Sequence, residues 1–483
     1  MPDALTFPAD FLFGAATASY QIEGAVAEGG RGPSIWDTFS HTPGRVVNGD
    51  TGDVACDHYH CYASDVAAMA ELGLGAYRLS LAWPRIQPTG SGEFSKEGFA
   101  FYHRLLDALE EAGIEPIVTL YHWDLPQPLE DAGGWPSRAT AEAFAAYARR
   151  AVEEFGSRVT YWTTFNEPWC SAFLGYGSGS HAPGRSDHAD SLAAMHHLNL
   201  AHGLAYRAIK EVKPDAVVSI VLNSHLPRPW NVADERDVAA ADKIDALANR
   251  VFIQPLTQGT YPQVTLDSTR DITDWSFVHD GDMDTVRGTV DLIGVNYYSS
   301  HSVRHHSGPR VDSGEDGHKA SRFSCWPGAD DVEFMPLIGK RTTMGWNVDP
   351  SGLHAHLMRI ARDFPGIPIL VTENGASWED QVDADGRIRD SDRYRYYHDH
   401  LSAVLQARAE GADIRGYMAW SLMDNFEWGY GYTKRFGMLR VDYPTGERTW
   451  KDSAYWYAQT IRTRTITPVD GFAQTVPTPP ARY

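Results

Sequence analysis

Two glutamates stand at the ends of short apolar runs that have the composition of buried strands. Glu167 closes the stretch YWTTFNEP, and Glu373 lies in VTENG after a run of strand-forming residues. Each has an amide neighbour, Asn166 before Glu167 and Asn374 after Glu373. Burying a carboxylate at the end of an apolar strand is costly, so the presence of two such glutamates suggests that they have a function. Glycoside hydrolysis needs two carboxyl groups flanking one bond, one to donate a proton and one to meet the charge that develops at the anomeric carbon.

The simpler alternative is that each glutamate forms a buried ion pair, for instance with Arg78. That explanation is adequate for one glutamate. Two of them on parallel strands, each beside an amide, favour the catalytic interpretation.

Eight apolar runs of strand length recur along the chain, and most of them are separated by segments with helical spacing. This alternation predicts βαβ units and a parallel sheet. Eight such units are the number that closes a (β/α)8 barrel. The alternative fold is a doubly wound open sheet, which would be expected to have a GxGxxG turn after an early strand, and the sequence has no such motif. The fold class predicted is therefore α/β, a single (β/α)8 TIM barrel with long βα loops at its mouth. The predicted strands are 11–18, 76–83, 117–121, 159–165, 216–222, 292–298, 367–372 and 416–422.

Two stretches break this rhythm. Residues 301–340 are polar and contain glycine without a helical period, so we expect a loop over the barrel mouth. Residues 468–483 are rich in proline, and we expect a loosely packed C-terminal tail there. No linker is evident, so the sequence predicts one domain over residues 1–483.

Composition narrows the function classes. The chain has 42 Lys+Arg against 63 Asp+Glu and a net charge of −21, which argues against binding to nucleic acid or to anionic membranes. Four cysteines are too few for a disulfide framework in 483 residues, and neither a signal peptide nor a membrane span is evident. We expect a cytoplasmic protein with reduced thiols. The oligomeric state, including a homo-oligomer, stays open.

In a barrel enzyme the functional side chains lie at the C-terminal ends of the strands. Here those ends carry carboxylates, amides, an imidazole and indoles. This mixture suits a polyol, because the polar groups bind hydroxyls and the flat rings cover the apolar face of a sugar.

Several motifs together resemble glycoside hydrolase family 1, the β-glucosidase family. They are FLFGAATASYQIEG, YRLSLAWPRI, LYHWDLPQPLE, TTFNEPW, GVNYYSS, MGWNVDPSGL, VTENG and WSLMDNFEWGYGY. The resemblance runs from about Phe7 to Tyr457. It implies a (β/α)8 barrel and a retaining enzyme whose substrate is a small β-glycoside.

The resemblance also implies a role for individual residues. Glu373 would be the nucleophile and Glu167 the acid/base, while Arg78, Asn296 and Tyr298 would support the nucleophile. The residues expected to bind the sugar are Gln21, His122, Asn166, Tyr298, Trp420, Glu427 and Trp428. Trp169 and Trp346 would flank the aglycone. Cys170 would lie on the aglycone side of the site, and the resemblance implies no role for it.

No cofactor or metal is expected. Cys56, His58, His60 and Cys61 cluster in ACDHYHCY, but they lack the spacing of metal ligands. His196 and His197 could be catalytic, but a helix with satisfied histidines is the favoured interpretation.

Two alternatives remain. One is a barrel that only binds sugar, which the presence of both carboxylates argues against. The other is a 6-phospho-β-glucosidase, whose branch of the family has a serine at the position of Glu427 and a downstream lysine and tyrosine. This chain has Lys434 but Phe436 in place of the tyrosine. An ionised Glu427 at ~4 Å would repel a phosphate dianion by about 4 kcal/mol per unit charge, if the effective dielectric is near 20.

Overall fold

A computed structural model of the chain describes residues 6–311, 314–319, 321–478 and 480–483. Eight parallel strands form a closed barrel in the order β1-β11-β10-β7-β5-β4-β3-β2. The barrel strands are β1 (Leu12–Ala16), β2 (Ala76–Ser80), β3 (Glu115–Tyr121), β4 (Tyr161–Asn166), β5 (Val217–Asn223), β7 (Leu292–Asn296), β10 (Ile369–Asn374) and β11 (Ile414–Trp420).

Each of the eight predicted strands is present, with ends that differ from the prediction by a few residues. Their apolar character follows from the barrel, because a parallel strand is covered by side chains inside and by helices outside. The first and last barrel strands pair from Leu12 with Gly416 to Ala16 with Trp420. Closure of the barrel therefore joins strands that lie about 400 residues apart in the chain.

The helices around the barrel follow the predicted spacing. In α7 (Arg138–Phe155) the buried side chains include Phe144, Tyr147 and Ala151, which form one apolar stripe toward the strands. α5 (Lys96–Glu111) begins where the Ser95 hydroxyl accepts from the Gly98 amide at 3.0 Å. It ends before Gly113, whose φ of 68° lets the chain turn into β3.

The other helices complete the outer ring and its connections. They are α1 (Ser19–Ile22), α2 (Ile35–Ser40), α3 (His58–Leu72), α4 (Trp83–Ile86), α6 (Gln127–Asp131), α8 (His188–Val212), α9 (Glu235–Asp245), α10 (Val251–Gln258), α11 (Gln263–Thr269), α12 (Asp282–Val286), α13 (Pro350–Asp363), α14 (Ser391–Ala409) and α15 (Asp452–Thr463). Cys170–Ser178 and Ala246–Arg250 are π-helical. Within the described ranges, no helix is apolar over a length that would cross a bilayer.

Two small sheets lie outside the barrel. The first contains β6 (Pro227–Pro229), β8 (His301–His305) and β9 (Val332–Phe334). The loop predicted over residues 301–340 therefore contains two short strands, β8 and β9, which the sequence analysis did not identify. The second sheet pairs β12 (Leu439–Asp442) with β13 (Glu447–Trp450).

The C-terminal tail is packed more closely than the sequence suggested. Phe472 and Val476 are buried, with exposed fractions of 4 % and 7 %. Farther on, the Tyr483 amide donates to the Arg448 carbonyl at 3.0 Å, and the Trp450 amide donates to the Ala481 carbonyl at 3.0 Å. The tail thus pairs with β13, a tertiary contact that proline content does not reveal.

Candidate active site

The two glutamates of the sequence motifs meet in one pocket at the C-terminal ends of the strands. Glu167 follows β4 directly, and Glu373 lies near the end of β10, where it pairs with Asn296 on β7. Both are buried, with exposed fractions of 6 % and 3 %, and both line the same pocket. The backbone of Glu167 has a φ of 46°, a left-handed conformation that is uncommon outside glycine and recurs at functional sites.

Glu373 is surrounded by donors. The Arg78 guanidinium donates to Oε1 at 2.5 Å, and the Tyr298 hydroxyl donates to Oε2 at 2.6 Å. A buried cation and a hydroxyl on separate oxygens both favour the ionised carboxylate. The contacts with Arg78 and Tyr298 therefore stabilise negative charge on Glu373, and a nucleophile needs that charge.

Glu167 has a different environment. The Asn296 amide donates to Oε1 at 2.8 Å and the Cys170 thiol donates to Oε2 at 3.3 Å, while no Lys, Arg or His in the described ranges forms an ion pair with it. Burial and, second, the Glu373 carboxylate raise the pKa of Glu167 to about 7. Burial is the larger of these two causes. A carboxyl that keeps its proton near neutral pH can act as a general acid.

Asn166 links these two environments. Its Oδ1 accepts from Arg78 at 2.7 Å and from Asn296 at 3.0 Å, and its Nδ2 lies 3.0 Å from His122 Nε2. The Thr372 hydroxyl in turn donates to Asn296 Oδ1 at 2.8 Å. Both hydrogen bonds that the Asn166 amide oxygen can accept are made within the protein. A substrate hydroxyl would therefore hydrogen-bond to Asn166 Nδ2.

The expected sugar-binding residues His122, Trp420, Glu427 and Trp428 all line the pocket. The His122 ring lies nearly parallel to those of Trp420 and Trp428, at 18° and 19° and 6.0 Å from each. Glu427 Oε2 and His122 Nδ1 are buried and have no hydrogen-bond partner in the described part of the chain. Hydroxyls of a bound sugar can satisfy both atoms, because a hydroxyl donates and accepts.

Gln21 is not among the residues that line the pocket, and its expected contact with the sugar stays a prediction. It is fully buried, and its amide donates to Asn425 Oδ1 at 3.0 Å and to the Phe426 carbonyl at 2.8 Å. It therefore supports the segment that leads to Glu427. Its Oε1 has no partner among the described residues.

Of the two tryptophans expected beside the aglycone, the structure brings only Trp346 to the pocket. Its indole donates to the Gly317 carbonyl at 2.7 Å, and its ring lies 5.1 Å from that of Tyr298. Trp169 is fully buried with its ring 4.9 Å from that of His318, and its expected contact with the aglycone stays a prediction. The chain turns helical after Glu167, and residues three apart share a face there, which brings Cys170 rather than Trp169 to the pocket.

Glu427, Lys434 and Phe436 are the residues that the sequence argument used to distinguish plain sugars from 6-phosphorylated ones, and the structure changes the charge assumed for Glu427. Burial, followed by the Glu373 and Glu167 carboxylates, raises the pKa of Glu427 to about 8. Glu427 is thus largely protonated in the empty pocket at pH 7, and the charge assumed from the sequence is present only at higher pH. The Lys434 ammonium donates to the Thr343 carbonyl at 2.5 Å, and Phe436 lines the pocket.

Sequence reasoning missed several lining residues, above all His181, His225, His301 and His318. They come from connecting segments, where no strand or helix period indicates which way a side chain faces. The histidines that it did weigh, His196 and His197, lie buried in α8. His196 Nε2 is 3.0 Å from Asp282, which agrees with the interpretation of satisfied helix histidines.

The cysteine-histidine cluster near α3 is divided among separate partners. His58 Nδ1 is 2.7 Å from Asp65, and His60 Nδ1 is 2.6 Å from Asp57. The Cys56 thiol donates to the Asp424 carbonyl at 3.1 Å. Among the residues described, no group of three or more His, Cys, Asp or Glu has an arrangement that could hold a metal ion.

Comparison with known proteins decides the family. The model of glycosyl hydrolase family 1 matches residues 4–466. The chain belongs to glycosyl hydrolase family 1. Among curated relatives of this family 1 chain, a bifunctional β-D-glucosidase/β-D-fucosidase of Bifidobacterium breve is 47 % identical over 466 residues, covering 95 % of this chain and 98 % of the relative. β-Glucosidase A of Thermotoga maritima is 41 % identical over 457 residues, covering 94 % and 98 %.

Solved structures agree with this family 1 assignment. The psychrophilic β-glucosidase of Micrococcus antarcticus has a TM-score of 0.91 and 42 % identity, covering 95 % of this chain and 98 % of that one. The β-glucosidase of Thermotoga maritima in complex with deoxynojirimycin has a TM-score of 0.89 and 41 % identity, covering 96 % and 100 %. The predicted family and the predicted TIM barrel are both confirmed.

Proposed function

We propose that this family 1 chain is a retaining β-glucosidase that releases terminal non-reducing β-D-glucosyl residues from β-glucosides and short oligosaccharides such as cellobiose. The observation that carries the proposal is the contrast between the two carboxyl groups. Glu373 accepts from Arg78 and Tyr298, whereas Glu167 is buried with a pKa raised to about 7. One anion and one acid facing the same pocket are the pair that double displacement requires.

The proposed reaction has two steps. In the first, a Glu373 oxygen forms a bond to the anomeric carbon while the bond to the leaving oxygen breaks, and that oxygen takes the proton of Glu167. In the second, a water molecule attacks the same carbon and loses a proton to Glu167, and the bond to Glu373 breaks. Two inversions leave the sugar with its original β configuration. No cofactor takes part in this proposal.

The relatives support the substrate class. Those compared above are named as β-glucosidases, and one of them is named as a β-D-fucosidase as well. We extend the proposal to side activity on β-fucosides and β-galactosides and to transglycosylation. Processing of cellobiose would give the enzyme a part in cellulose degradation.

The 6-phospho-β-glucosidase alternative is not favoured. Lys434 is already bonded to a backbone carbonyl, Phe436 has no hydroxyl, and Glu427 stands where that branch has serine. A barrel that only binds sugar would need no contrast between its carboxyl groups. The cytoplasmic location stays a prediction, and the oligomeric state stays open. The four cysteine thiols are free.

Proton NMR of early turnover tests the proposal. With p-nitrophenyl β-glucoside, β-glucose should appear first and the α-anomer only later by mutarotation. Initial release of α-glucose would contradict a retaining mechanism, and no release of glucose would contradict the function itself.

A further inference from the structure

Thr372 lies on β10 directly before Glu373, but it is not among the residues that line the pocket. Its side chain is buried, and the hydroxyl donates to Asn296 Oδ1 on β7 at 2.8 Å. Asn296 does line the pocket. Thr372 therefore supports a residue of the site without facing the pocket itself.

Gly294, two residues before Asn296 on β7, leaves room for the Thr372 side chain. A Cβ atom at this position would lie 3.1 Å from Thr372 Cγ2 and Oγ1 and 2.4 Å from Val221 Cγ2. Any larger residue would therefore push its neighbours aside, Thr372 among them. Glycine in a strand marks such a close approach, and here it lets the hydroxyl reach the amide.

The orientation of the Asn296 amide follows from the groups around it. The Arg78 guanidinium has donors only, so the Asn166 atom that it contacts at 2.7 Å is the amide oxygen. That oxygen needs a donor from Asn296, which places Asn296 Nδ2 toward it at 3.0 Å and Oδ1 toward Thr372. Without the Thr372 hydroxyl, Oδ1 would lose the donor that it has in the described part of the chain, and an unpaired buried acceptor is costly.

Asn296 Nδ2 also donates to Glu167, at 2.8 Å from Oε1. An amide N–H only donates, so Oε1 accepts in both protonation states of the carboxyl group. The proton of the neutral carboxyl is then best placed on Oε2. The contact of Oε2 is the Cys170 thiol at 3.3 Å, which is a weak donor and a weak acceptor.

We propose that Thr372 is a positioning residue that holds the Asn296 amide on Glu167 Oε1 and so keeps the transferable proton on Oε2. The proposal rests on the β-glucosidase function proposed above, in which Glu167 protonates the leaving oxygen. In Thr372→Val a methyl group replaces the hydroxyl at nearly the same volume. Asn296 Oδ1 then has no donor, and the amide loses its alignment with Glu167.

Thr372→Val should impair acid catalysis selectively. We expect kcat/KM for cellobiose to fall by about five- to tenfold, and that for p-nitrophenyl β-glucoside, whose leaving group needs no proton, by less than about twofold. Thr372→Ser keeps the hydroxyl and should bring cellobiose back to within about threefold of wild type. Equal losses on both substrates, or equal losses in the two variants, would overturn the proposal.

Carbon-13 NMR of labelled glutamate tests whether Thr372 acts through Asn296. The amide bond favours the ionised carboxylate, so Thr372→Val should raise the pKa of Glu167 and move the alkaline limb of the cellobiose profile to higher pH. In Asn296→Ala the amide is absent, so adding Thr372→Val should cause no further rise in this pKa. A further rise in the double variant would overturn the route through Asn296. These variants leave in place the other titratable and charged groups that face Glu167, which are Glu373, Arg78, Cys170, Tyr298 and Glu427.

Thr163→Val is the matched control, because it removes a buried hydroxyl from another barrel strand. Thr163 lies on β4 with its hydroxyl 2.7 Å from that of Ser219, and neither residue lines the pocket. The variant should lower the free energy of unfolding, as Thr372→Val does, but leave the ratio of the two substrates and the pKa of Glu167 unchanged. If it changes that ratio as Thr372→Val does, the effect is one of stability and the proposal is wrong. Failure of the wild-type enzyme on both substrates would instead overturn the proposed function.

Discussion

The Arg78 guanidinium donates to Glu373 Oε1 at 2.5 Å, an ion pair in which both side chains are almost fully buried. In the described ranges no cation pairs with Glu167, the other carboxyl group of the pocket. One arginine thus makes two chemically identical side chains unequal, because it forms an ion pair with Glu373 but not with Glu167. The sequence argument treated such an ion pair as a reason to doubt catalysis. In the proposed mechanism the same ion pair instead distinguishes the nucleophile from the acid.

Removal of either carboxyl group should reveal these roles. Glu373→Ala should lose nearly all activity on every substrate, because no bond to the anomeric carbon can form. Glu167→Ala should lose far more activity on cellobiose than on an activated aryl glucoside, whose leaving group needs no proton. The measurement is kcat/KM across a series of leaving groups.

Azide provides a control for both variants, because it can replace the missing group. Added azide should rescue Glu167→Ala with formation of the β-glycosyl azide and Glu373→Ala with formation of the α-azide. Equal losses across all leaving groups in Glu167→Ala would show that Glu167 is not the acid.

The proton of Glu167 should control the alkaline side of the pH profile. Because its pKa is raised to about 7, the carboxyl is protonated below that pH and loses its proton above it. We therefore expect kcat/KM for cellobiose to fall as pH rises through about 7, as the alkaline limb of a bell-shaped curve.

Carbon-13 NMR of labelled glutamate can follow this titration directly. In Glu373→Gln the like charge is gone but burial remains, so the pKa of Glu167 should decrease and stay above ~4.3, the ordinary value for glutamate. A decrease all the way to the ordinary value would contradict burial as the main cause.

Tyr298→Phe should slow the reaction by about ten- to a hundredfold, since a hydrogen bond to a charged group contributes roughly 1.5–3 kcal/mol. The lost bond is the one from its hydroxyl to Glu373 Oε2 at 2.6 Å. Tyr297→Phe is the matched control, because it removes the same atom one residue away, where the hydroxyl donates to the Asp349 carbonyl at 2.8 Å. Steady-state kinetics with an aryl glucoside should separate the two variants, and similar losses in both would argue against support of Glu373.

Rejection of 6-phosphorylated substrates should depend on pH. Burial and two carboxylates raise the pKa of Glu427 to about 8, so its charge appears between about pH 7 and 9. At pH 9 the repulsion of a phosphate dianion, about 4 kcal/mol per unit charge, corresponds to roughly a thousandfold in specificity. The ratio of kcat/KM for p-nitrophenyl β-glucoside to that for its 6-phosphate should therefore exceed one at pH 7 and rise toward pH 9.

Two variants separate charge from shape in this prediction. Glu427→Gln keeps the shape of the side chain and should remove the pH dependence of this kcat/KM ratio. Glu427→Ser should also bring the kcat/KM values of the two substrates closer together. If the 6-phosphate is the better wild-type substrate, the phospho-β-glucosidase alternative replaces the proposed function.

The sequence alone was sufficient for the barrel and for the pair of glutamates. Both depend on local patterns: apolar runs of strand length, helical spacing between them, and polar residues where each strand ends. A barrel gathers the strand ends at one face whatever the details of packing, so Glu167 and Glu373 had to meet. His122, Trp420, Glu427 and Trp428 reach the pocket for the same reason.

Only the tertiary structure decided which side chains of the connecting segments face the pocket. Trp169 turns away while Cys170 turns in, Gln21 supports a neighbouring segment, and His225 and His318 come together from distant parts of the chain. It also decided the charges, because burial is a larger cause than like charge of the raised pKa values of Glu167 and Glu427. Burial and orientation depend on what the rest of the chain packs against a residue, and that information is not local in the sequence.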